Sequence, residues 1–283
     1  MIHINHLKKS YDSFTLECSL DIPKGMITGI IGMNGAGKTT LFKSILGINP
    51  IDEGNIQIPD KQEIGVVLSE TGFSEFFTVS DIISILKCTY KRFDEDLFRS
   101  YCQRFDVSLD KKTRTFSTGM KAKLNIIIAL THHAQLLILD EPTAGLDVLT
   151  RDEILDILRD YTEQEDCTIL ISSHISSDLE SLSDDLYVID HGQIIMHEEM
   201  DTLLSQYGVL KVSKEDYDNL DKDYLLEVMK EPFGYSCLTN VRQFYSENYP
   251  TIVIEQNHID PMIPILLKGE RLSTTHDLKV MGL

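Results

Sequence analysis

The chain has 283 residues, 42% of them apolar and 25% charged, a composition that suits one large globular domain or a large domain with a small one. The formal net charge of −19 excludes the overall basic surface that binds bare nucleic acid, so we expect no nucleic-acid partner. The apolar runs are far shorter than the ~20 residues of a transmembrane helix, and we expect no signal peptide. The five cysteines are scattered without a C-x-x-C pair, which predicts neither a disulfide framework nor a zinc site.

The first predicted elements are strands around one helix. Residues 1–22 alternate apolar and polar side chains like two paired strands, and residues 26–31 form a short apolar run that predicts a buried strand. Residues 38–46 have helical spacing and end at Gly47, a helix stop signal. Residues 63–68 form another short apolar run, which predicts a further buried strand.

Helices and strands alternate in the next part of the chain. Residues 78–104 have apolar side chains at helical spacing, which predicts a helix. The other predicted elements are helices at 120–130 and 154–161 and strands at 136–139, 168–172 and 186–189. Because strands alternate with helices, we predict an α/β domain over residues 1–205, with a mostly parallel sheet covered on both faces.

The C-terminal part has a different character, and we predict that residues 206–283 form a small α/β accessory domain. Its strand-like runs are 209–212, 235–238 and 251–254. Ser213 followed by Asp216 resembles a capping box. It would begin a helix that carries Leu220 and Leu225.

The strongest local motif is GMNGAGKT, residues 32–39, which fits the pattern G-x-x-x-x-G-K-[ST] between a predicted strand and a predicted helix. Glycines let backbone N–H groups face phosphates, and the helix N-terminus favours an anion. Lys38 supplies a charge to the β- and γ-phosphates, and the hydroxyl of Thr39 is a candidate Mg²⁺ ligand. A plain glycine turn is the alternative, but it does not explain the order Gly-Lys-Thr. The candidate nucleotide contacts are Gly32, Met33, Asn34, Gly35, Ala36, Gly37, Lys38, Thr39 and Thr40.

A second motif, LLILDE at residues 136–141, brings two acids to the carboxyl end of a predicted buried strand, where ligands bind in open α/β sheets. We expect Asp140 to bind Mg²⁺ through water and Glu141 to polarise the attacking water. The alternative is a solvated strand end with two neighbouring carboxylates. The P-loop motif in the same chain makes that alternative the weaker one.

The order of GMNGAGKT, FSTGM, LLILDEPTAGLD and ISSH resembles the ATP-binding subunits of ABC transporters over residues 1–205. The resemblance implies a P-loop NTPase fold with a mixed sheet core, a small antiparallel β part and a helical subdomain at about 72–130. It also implies that two cassettes bind two ATP molecules and Mg²⁺ between them, each P-loop facing the signature motif of the other cassette.

Other site residues carry over from this family by position. FSTGM stands where the family has LSGGQ, so Ser117 and Gly119 are expected to contact the opposite γ-phosphate, whereas the third and fifth letters depart from the family. By itself, FSTGM predicts only a helix N-cap. Asp147 is expected to cross the dimer interface and His174 to bind the γ-phosphate, although a lone histidine is more often structural. Tyr11 is expected to stack on adenine, although a lone tyrosine is more often a packing residue.

One position departs more strongly from the family, which has a glutamine that contacts Mg²⁺ and relays to the membrane subunit. In IGVVLSETGF, residues 64–73, Ser69 stands at that position with Glu70 beside it. An oxygen of either Ser69 or Glu70 could reach Mg²⁺ through water. Ser69, which stands at the glutamine position, is the expected nucleotide and Mg²⁺ contact.

The motif variants and the C-terminal part are similar to the YtrB and bacitracin-export type of bacterial ABC ATPase, and to subunits that export amphipathic peptides such as staphylococcal phenol-soluble modulins. The resemblance implies an ATPase with Glu141, His174 and Lys38 as catalytic residues. It would work at the cytoplasmic face of the cell membrane with an integral membrane permease and a second cassette, identical or different. No residue of the sequence indicates the cargo.

Two other functions remain open as alternatives. The first is a soluble ABC ATPase that acts on the ribosome or nucleic acid. Such translation factors carry two cassettes in one chain, and such repair proteins contain a long coiled coil between the motifs. This chain has one cassette, with ~100 residues between the motifs and no sustained heptads. The second alternative is a nucleotide-binding module without hydrolysis, against which the presence of Glu141 and His174 argues.

Overall fold

A computed structural model describes residues 2–68, 73–165 and 167–272. Contacts within the chain define two compact units: Met1–His174 with Leu182–Met196, and Ile175–Ser181 with His197–Leu283. The chain therefore passes into the second unit directly after His174, returns to the first unit, and finally leaves it after Met196. The boundary after residue 205 remains a prediction.

The first unit is built on strands that alternate with helices. Its strands are β1 (Ile2–Tyr11), β2 (Phe14–Ile22), β3 (Ile27–Ile31), β4 (Glu53–Gln57), β5 (Ile64–Val67), β6 (Leu136–Asp140), β7 (Thr168–Ser172), β8 (Asp185–Asp190) and β9 (Gln193–Glu199), which runs across the division. Its helices are α1 (Lys38–Ile45), α2 (Val79–Thr89), α3 (Glu95–Arg104), α4 (Thr118–Leu130) and α5 (Val148–Glu165).

Two sheets organise this unit. One is antiparallel in the order β2-β1-β4, and the other has the order β5-β6-β7-β3-β8-β9 with parallel pairing from β5 to β8. Every residue of β3, β6 and β7 is buried, as expected for parallel strands with both faces covered. The carboxyl ends of these three adjacent strands consequently meet at one edge, and the predicted P-loop α/β fold with a mixed sheet is confirmed.

The helix predicted at residues 78–104 is wrong as a single element, because the chain forms two helices there. Helix α2 begins with a capping box between Thr78 and Asp81 and ends at Thr89, because the backbone of the next residue, Tyr90, is extended. Asp94 then caps α3, its carboxylate accepting a hydrogen bond of 2.8 Å from the N–H of Leu97. Both helices are amphipathic, so the apolar spacing continues on each side of the break.

Strands β4 and β9 were missed by the sequence analysis, because neither is a continuous apolar run. Strand β4 is exposed except at Ile56 and is held by pairing with β1. Strand β9 alternates between exposed and half-buried residues at the sheet edge. Their signal lies in long-range pairing rather than in local composition.

The second unit is a small α/β domain. Its elements are α6 (Ser176–Leu182), α7 (Met200–Gln206), β10 (Gly208–Val212), α8 (Lys214–Asn219), β11 (Leu225–Glu231), β12 (Gly234–Thr239), α9 (Arg242–Asn248), β13 (Val253–Glu255), α10 (Ile263–Lys268) and β14 (Glu270–Arg271). The strands form an antiparallel sheet in the order β13-β10-β12-β11-β14. Leu210, Leu225, Cys237 and Tyr245 are fully buried in its core.

The helix predicted after Ser213 is shorter than expected. Ser213 caps α8, and its hydroxyl accepts a hydrogen bond of 3.1 Å from the N–H of Asp216. The helix ends at Asn219, however, so Leu220 follows it and Leu225 begins strand β11.

The described helices include none that is long and apolar enough to cross a bilayer.

Candidate active site

The loop of residues 32–37 connects β3 to α1 and has a backbone that only glycine allows at two points. A Cβ on Gly32 would lie 2.2 Å from the carbonyl oxygen of Ile189, at the end of β8. Gly37 caps α1 with φ of 116°, and a Cβ there would lie 2.9 Å from the ring of Phe14. Since the first turn of a helix leaves N–H groups without helical partners, the loop presents donors to an anion.

The rest of the loop is divided between solvent and core. Met33, Asn34 and Gly35 are exposed, whereas Ala36 is buried and its carbonyl accepts a hydrogen bond of 2.8 Å from the N–H of Gly192. Thr40 is half-buried in the first turn of α1. The exposed part of the loop is therefore accessible to a ligand while its base is anchored to the sheet.

The ammonium group of Lys38 lies inside this loop. The side chain is buried, and its Nζ donates a hydrogen bond of 2.7 Å to the carbonyl of Gly32. Nζ also lies 3.6 Å from Oε1 of Glu141. The ammonium group therefore lies between the loop of residues 32–37 and Glu141, which follows β6.

Asp140 is the centre of a buried oxygen cluster. Its Oδ2 accepts a hydrogen bond of 2.7 Å from the Thr39 hydroxyl, and its Oδ1 accepts one of 2.7 Å from the Ser172 hydroxyl. The carboxylate and the Thr39 hydroxyl are hard oxygen donors of the kind that Mg²⁺ prefers. The described residues contain no cluster of three or more metal-binding side chains. Binding of Mg²⁺ by Thr39 and Asp140 stays a prediction.

Glu141 connects the two predicted catalytic groups. Its φ of 54° is unusual for a residue with a side chain, and such strained backbone is concentrated at functional sites. Its N–H is shared between the carbonyl and the hydroxyl of Ser172, each at 3.1 Å. One carboxylate oxygen is near Lys38, and the other is hydrogen-bonded to Nδ1 of His174. The structure therefore brings Lys38, Glu141 and His174 together.

Ser172 is a site residue that the sequence analysis missed, since it marked only the end of a predicted strand. Its hydroxyl is fully buried and bonded to both Asp140 and the N–H of Glu141. A signal was present in the sequence, because the apolar residues of β7 are followed by two serines, Ser172 at the end of the strand and Ser173 after it. What the sequence could not supply is that β7 pairs with β6 and places Ser172 opposite Asp140.

Tyr11 ends β1 and lies across from Phe14 at the first hairpin. The two rings are 6.4 Å apart, and the Tyr11 hydroxyl accepts a hydrogen bond of 3.1 Å from the amide of Asn49. The ring of Phe14 is next to Gly37 of the P-loop. Phe14 therefore lies between the P-loop and the half-exposed ring of Tyr11. Stacking of this ring on adenine stays a prediction.

The residues that are predicted for the signature motif and for the cassette interface form a second group. Ser117 caps α4, accepting a hydrogen bond of 3.2 Å from the N–H of Met120. A Cβ on Gly119 would lie 3.3 Å from Cγ2 of Thr150, whose N–H and hydroxyl donate to the Asp147 carboxylate at 3.0 Å and 2.9 Å. These bonds, first that from the Thr150 N–H, lower the pKa of Asp147. Thr150 thus joins the beginnings of α4 and α5.

A groove of about 370 Å³ lies between β5, α2 and α4. Its lining residues are Val66, Phe73, Ile85, Leu86, Thr89, Tyr90, Asn125 and Ile128. Ser69 lies outside the described residues, in the stretch of chain between two of these lining residues.

Comparisons with known proteins show which family and which fold this chain resembles. The profile of the family described as ABC transporter matches residues 16–144, and one described as AAA domain, putative AbiEii toxin, Type IV TA system matches residues 112–177. The lantibiotic transport ATP-binding protein SrtF of Streptococcus pyogenes is 34% identical over 212 residues, which cover 71% of this chain and 92% of SrtF. The ABC transporter ATP-binding protein YtrB of Bacillus subtilis (strain 168) is 29% identical over 231 residues, or 78% of this chain and 79% of YtrB. A solved structure described as a dimeric bacterial ABC transporter cassette shares the fold, with a TM-score of 0.63 and 19% identity over 71% of this chain and 99% of that one.

Proposed function

The chain belongs to the ATP-binding proteins of ABC transporters, and from that premise we propose that Lys38, Glu141 and His174 hydrolyse ATP to drive a separate membrane-spanning exporter. The observation that carries the proposal is the shared contact of Glu141 with Lys38 and His174 at the carboxyl ends of adjacent strands. A P-loop lysine, an acid and a histidine converging on one point suit phosphoryl transfer, where catalysis is mostly positioning and charge stabilisation.

The nucleotide phosphates would bind at the P-loop. Their charge would draw Nζ of Lys38 away from the carbonyl of Gly32 and from Glu141, since a β- or γ-phosphate oxygen is a stronger acceptor than a carbonyl. Glu141, released from Lys38, would then orient the attacking water, and His174 would donate to the γ-phosphate. Thr39 and Asp140 would hold Mg²⁺, which neutralises phosphate charge when it is bound.

Two copies of the cassette would form the complete site. In each copy the group of Ser117, Gly119 and Asp147 would face the P-loop of the other copy. The exposed apolar side chains of Val148 and Leu149, 67% and 76% exposed, follow Asp147 and support an interface at this surface. The second cassette would be a copy of this chain or a different chain of the same family.

The membrane permease would contact the groove between β5, α2 and α4. The groove is lined mostly by apolar side chains, and two of them, Val66 and Phe73, stand before and after Ser69 in the sequence. The family resemblance assigns the relay to Ser69. The protein would therefore lie at the cytoplasmic face of the membrane, bound through its partner. Peptides or other antimicrobial compounds are the proposed cargo, since SrtF is named for lantibiotic transport.

The test of this function is hydrolysis by a Glu141→Gln variant. The amide keeps the shape of the side chain but removes the carboxylate, so we expect ATP to bind while turnover falls by at least ~10²-fold. Glu53→Gln on the exposed strand β4 is the control and should hydrolyse ATP like the wild type. Steady-state phosphate release close to the wild-type rate in Glu141→Gln would remove Glu141 from the proposed role. Copurification of an integral membrane protein from native membranes distinguishes the exporter from a ribosome-bound ATPase.

A further inference from the structure

Helix α6 follows the proposed γ-phosphate ligand by two residues. His174 is the last residue of the first unit before the chain crosses over, and residues 175–181 belong to the compact second unit. The helix begins at Ser176. A single residue, Ile175, therefore separates His174 from α6 along the chain.

Glu180 on α6 bonds this helix to residues 258 and 259 of the second unit. This side chain is only 13% exposed, and its Oε1 accepts a hydrogen bond of 2.7 Å from the N–H of Ile259. Its other oxygen, Oε2, pairs with Nδ1 of His258 at 3.1 Å. A carboxylate with two partners on a neighbouring segment fixes both the position and the rotation of a short helix.

A second bond restrains the beginning of the same helix. The Ser176 hydroxyl donates a hydrogen bond to the carboxylate of Asp260, and Ser176 is 4% exposed. Leu179 on α6 and Ile259 are also buried. Both ends of α6 are therefore bonded to residues 258–260.

Residues 257–260, which we name the clamp segment, are themselves anchored in the second unit. Asn257 has a φ of 66° and accepts a hydrogen bond of 2.9 Å from the Arg242 guanidinium. The same Arg242 nitrogen donates to the carbonyl of Leu204 at 2.9 Å. A continuous path of polar contacts thus runs from α7 and α9 through the clamp segment to α6.

We propose that the clamp segment positions His174 through α6. In this way the second unit sets the rate of ATP hydrolysis through His174. Glu180 and Ser176 act as positioning residues in this arrangement. The inference rests on the proposed role of His174 as a γ-phosphate ligand. It assigns a regulatory role to the second unit: a partner that shifted the clamp segment would change turnover more than nucleotide affinity.

The first experiment separates the catalytic rate from binding in the full-length protein. Glu180→Ala should lower kcat by roughly three- to tenfold, and the dissociation constant for ATP should change by a smaller factor than kcat. Glu180→Gln retains an oxygen acceptor for the Ile259 N–H and should recover part of the loss. Glu255→Ala is the matched control, since it breaks the 3.3 Å pair with Lys211 elsewhere in the second unit and should leave kcat at the wild-type value.

A double-mutant cycle identifies the route of the effect. In a His174→Ala background, single-turnover rates should be the same with and without Glu180→Ala, because the proposed target of Glu180 is already absent. Additive losses, an unchanged kcat in Glu180→Ala, or an equal loss of ATP affinity would each overturn the proposal. Should Glu180→Ala not fold, Ser176→Ala provides the same comparison.

A second experiment does not depend on hydrolysis. In the Glu141→Gln variant, addition of ATP and Mg²⁺ should reduce hydrogen–deuterium exchange in peptides covering residues 255–265, and Glu180→Ala should abolish this reduction. The proposal is overturned if exchange in residues 255–265 is the same with and without ATP and Mg²⁺. If the wild-type protein hydrolyses no ATP while the exchange still responds, the proposed function fails and the link between the clamp segment and the nucleotide site stands.

Discussion

Replacing Ser172 with alanine should destabilise the protein by removing a hydrogen bond to a buried charge. Asp140 is 2% exposed, so water cannot take the place of the Ser172 hydroxyl that donates to its Oδ1 at 2.7 Å. A hydrogen bond to a charged group contributes about 1.5–3 kcal/mol. The N–H of Glu141 keeps the carbonyl of Ser172 at 3.1 Å as an acceptor, so its part of the loss is small. We therefore expect the free energy of unfolding to fall by about 1.5–3 kcal/mol.

Ser44 provides a matched control, because it is also a buried serine of the first unit. Its side-chain oxygen is buried without a hydrogen-bond partner among the described residues. Removing an unsatisfied hydroxyl costs nothing and relieves a desolvation penalty, so Ser44→Ala should be neutral or stabilising. The contrast between the two variants isolates the hydrogen bond from the common loss of one oxygen atom.

Urea denaturation followed by circular dichroism measures both variants against the wild type. The midpoint should fall for Ser172→Ala with an unchanged slope and stay the same or rise for Ser44→Ala. A Ser172→Ala protein within about 0.5 kcal/mol of the wild type, the usual range of a neutral surface change, would refute the assignment of Ser172 as an anchor of Asp140. Phosphate release should fall in the same variant, since Asp140 and Glu141 both lose a restraint.

Three further outcomes are expected. Lys38→Ala and Lys38→Arg should weaken ATP binding about 10- to 100-fold by calorimetry, the scale of one charge-assisted hydrogen bond, and unchanged affinity in a folded variant contradicts the P-loop assignment. Light scattering should show Glu141→Gln as mostly monomeric alone and shifted to dimer with ATP, whereas a persistent monomer points to a different second cassette or a required permease. Burial lowers the pKa of His132 below its ordinary value of 6.5. Hydrogen bonds to the carbonyls of Ile64 and Ile128 oppose this shift, and the charges of His133 and Arg92 add a smaller lowering. His132 therefore binds a proton more readily in the unfolded chain than in the folded one. The free energy of unfolding should fall as the pH drops below about 6.5. Urea midpoints at about pH 7.5 and 5.5 should differ less in His132→Gln than in the wild type, and an equal difference would exclude His132 as the cause.

The sequence by itself determined the P-loop, the acidic pair and the order of the motifs, because each of these is a local pattern. A glycine loop before a helix and two acids after an apolar strand keep their chemistry wherever the neighbouring strands lie. The cap at Ser117 was predictable for the same reason, since its bond to the N–H of Met120 spans one turn. The strand order was not written in any of these segments.

Tertiary structure decided which of these residues touch and which segments belong together. Ser172 became an anchor of Asp140 only through the pairing of β7 with β6. Strand β4 formed because β1 was there to pair with, although its own side chains are mostly exposed. Helix α6 directly follows a motif of the first unit, yet Glu180 and Ser176 bind residues 258–260 of the second unit. These are contacts between residues 30 to 85 positions apart, a separation at which composition and periodicity carry no information about the partner.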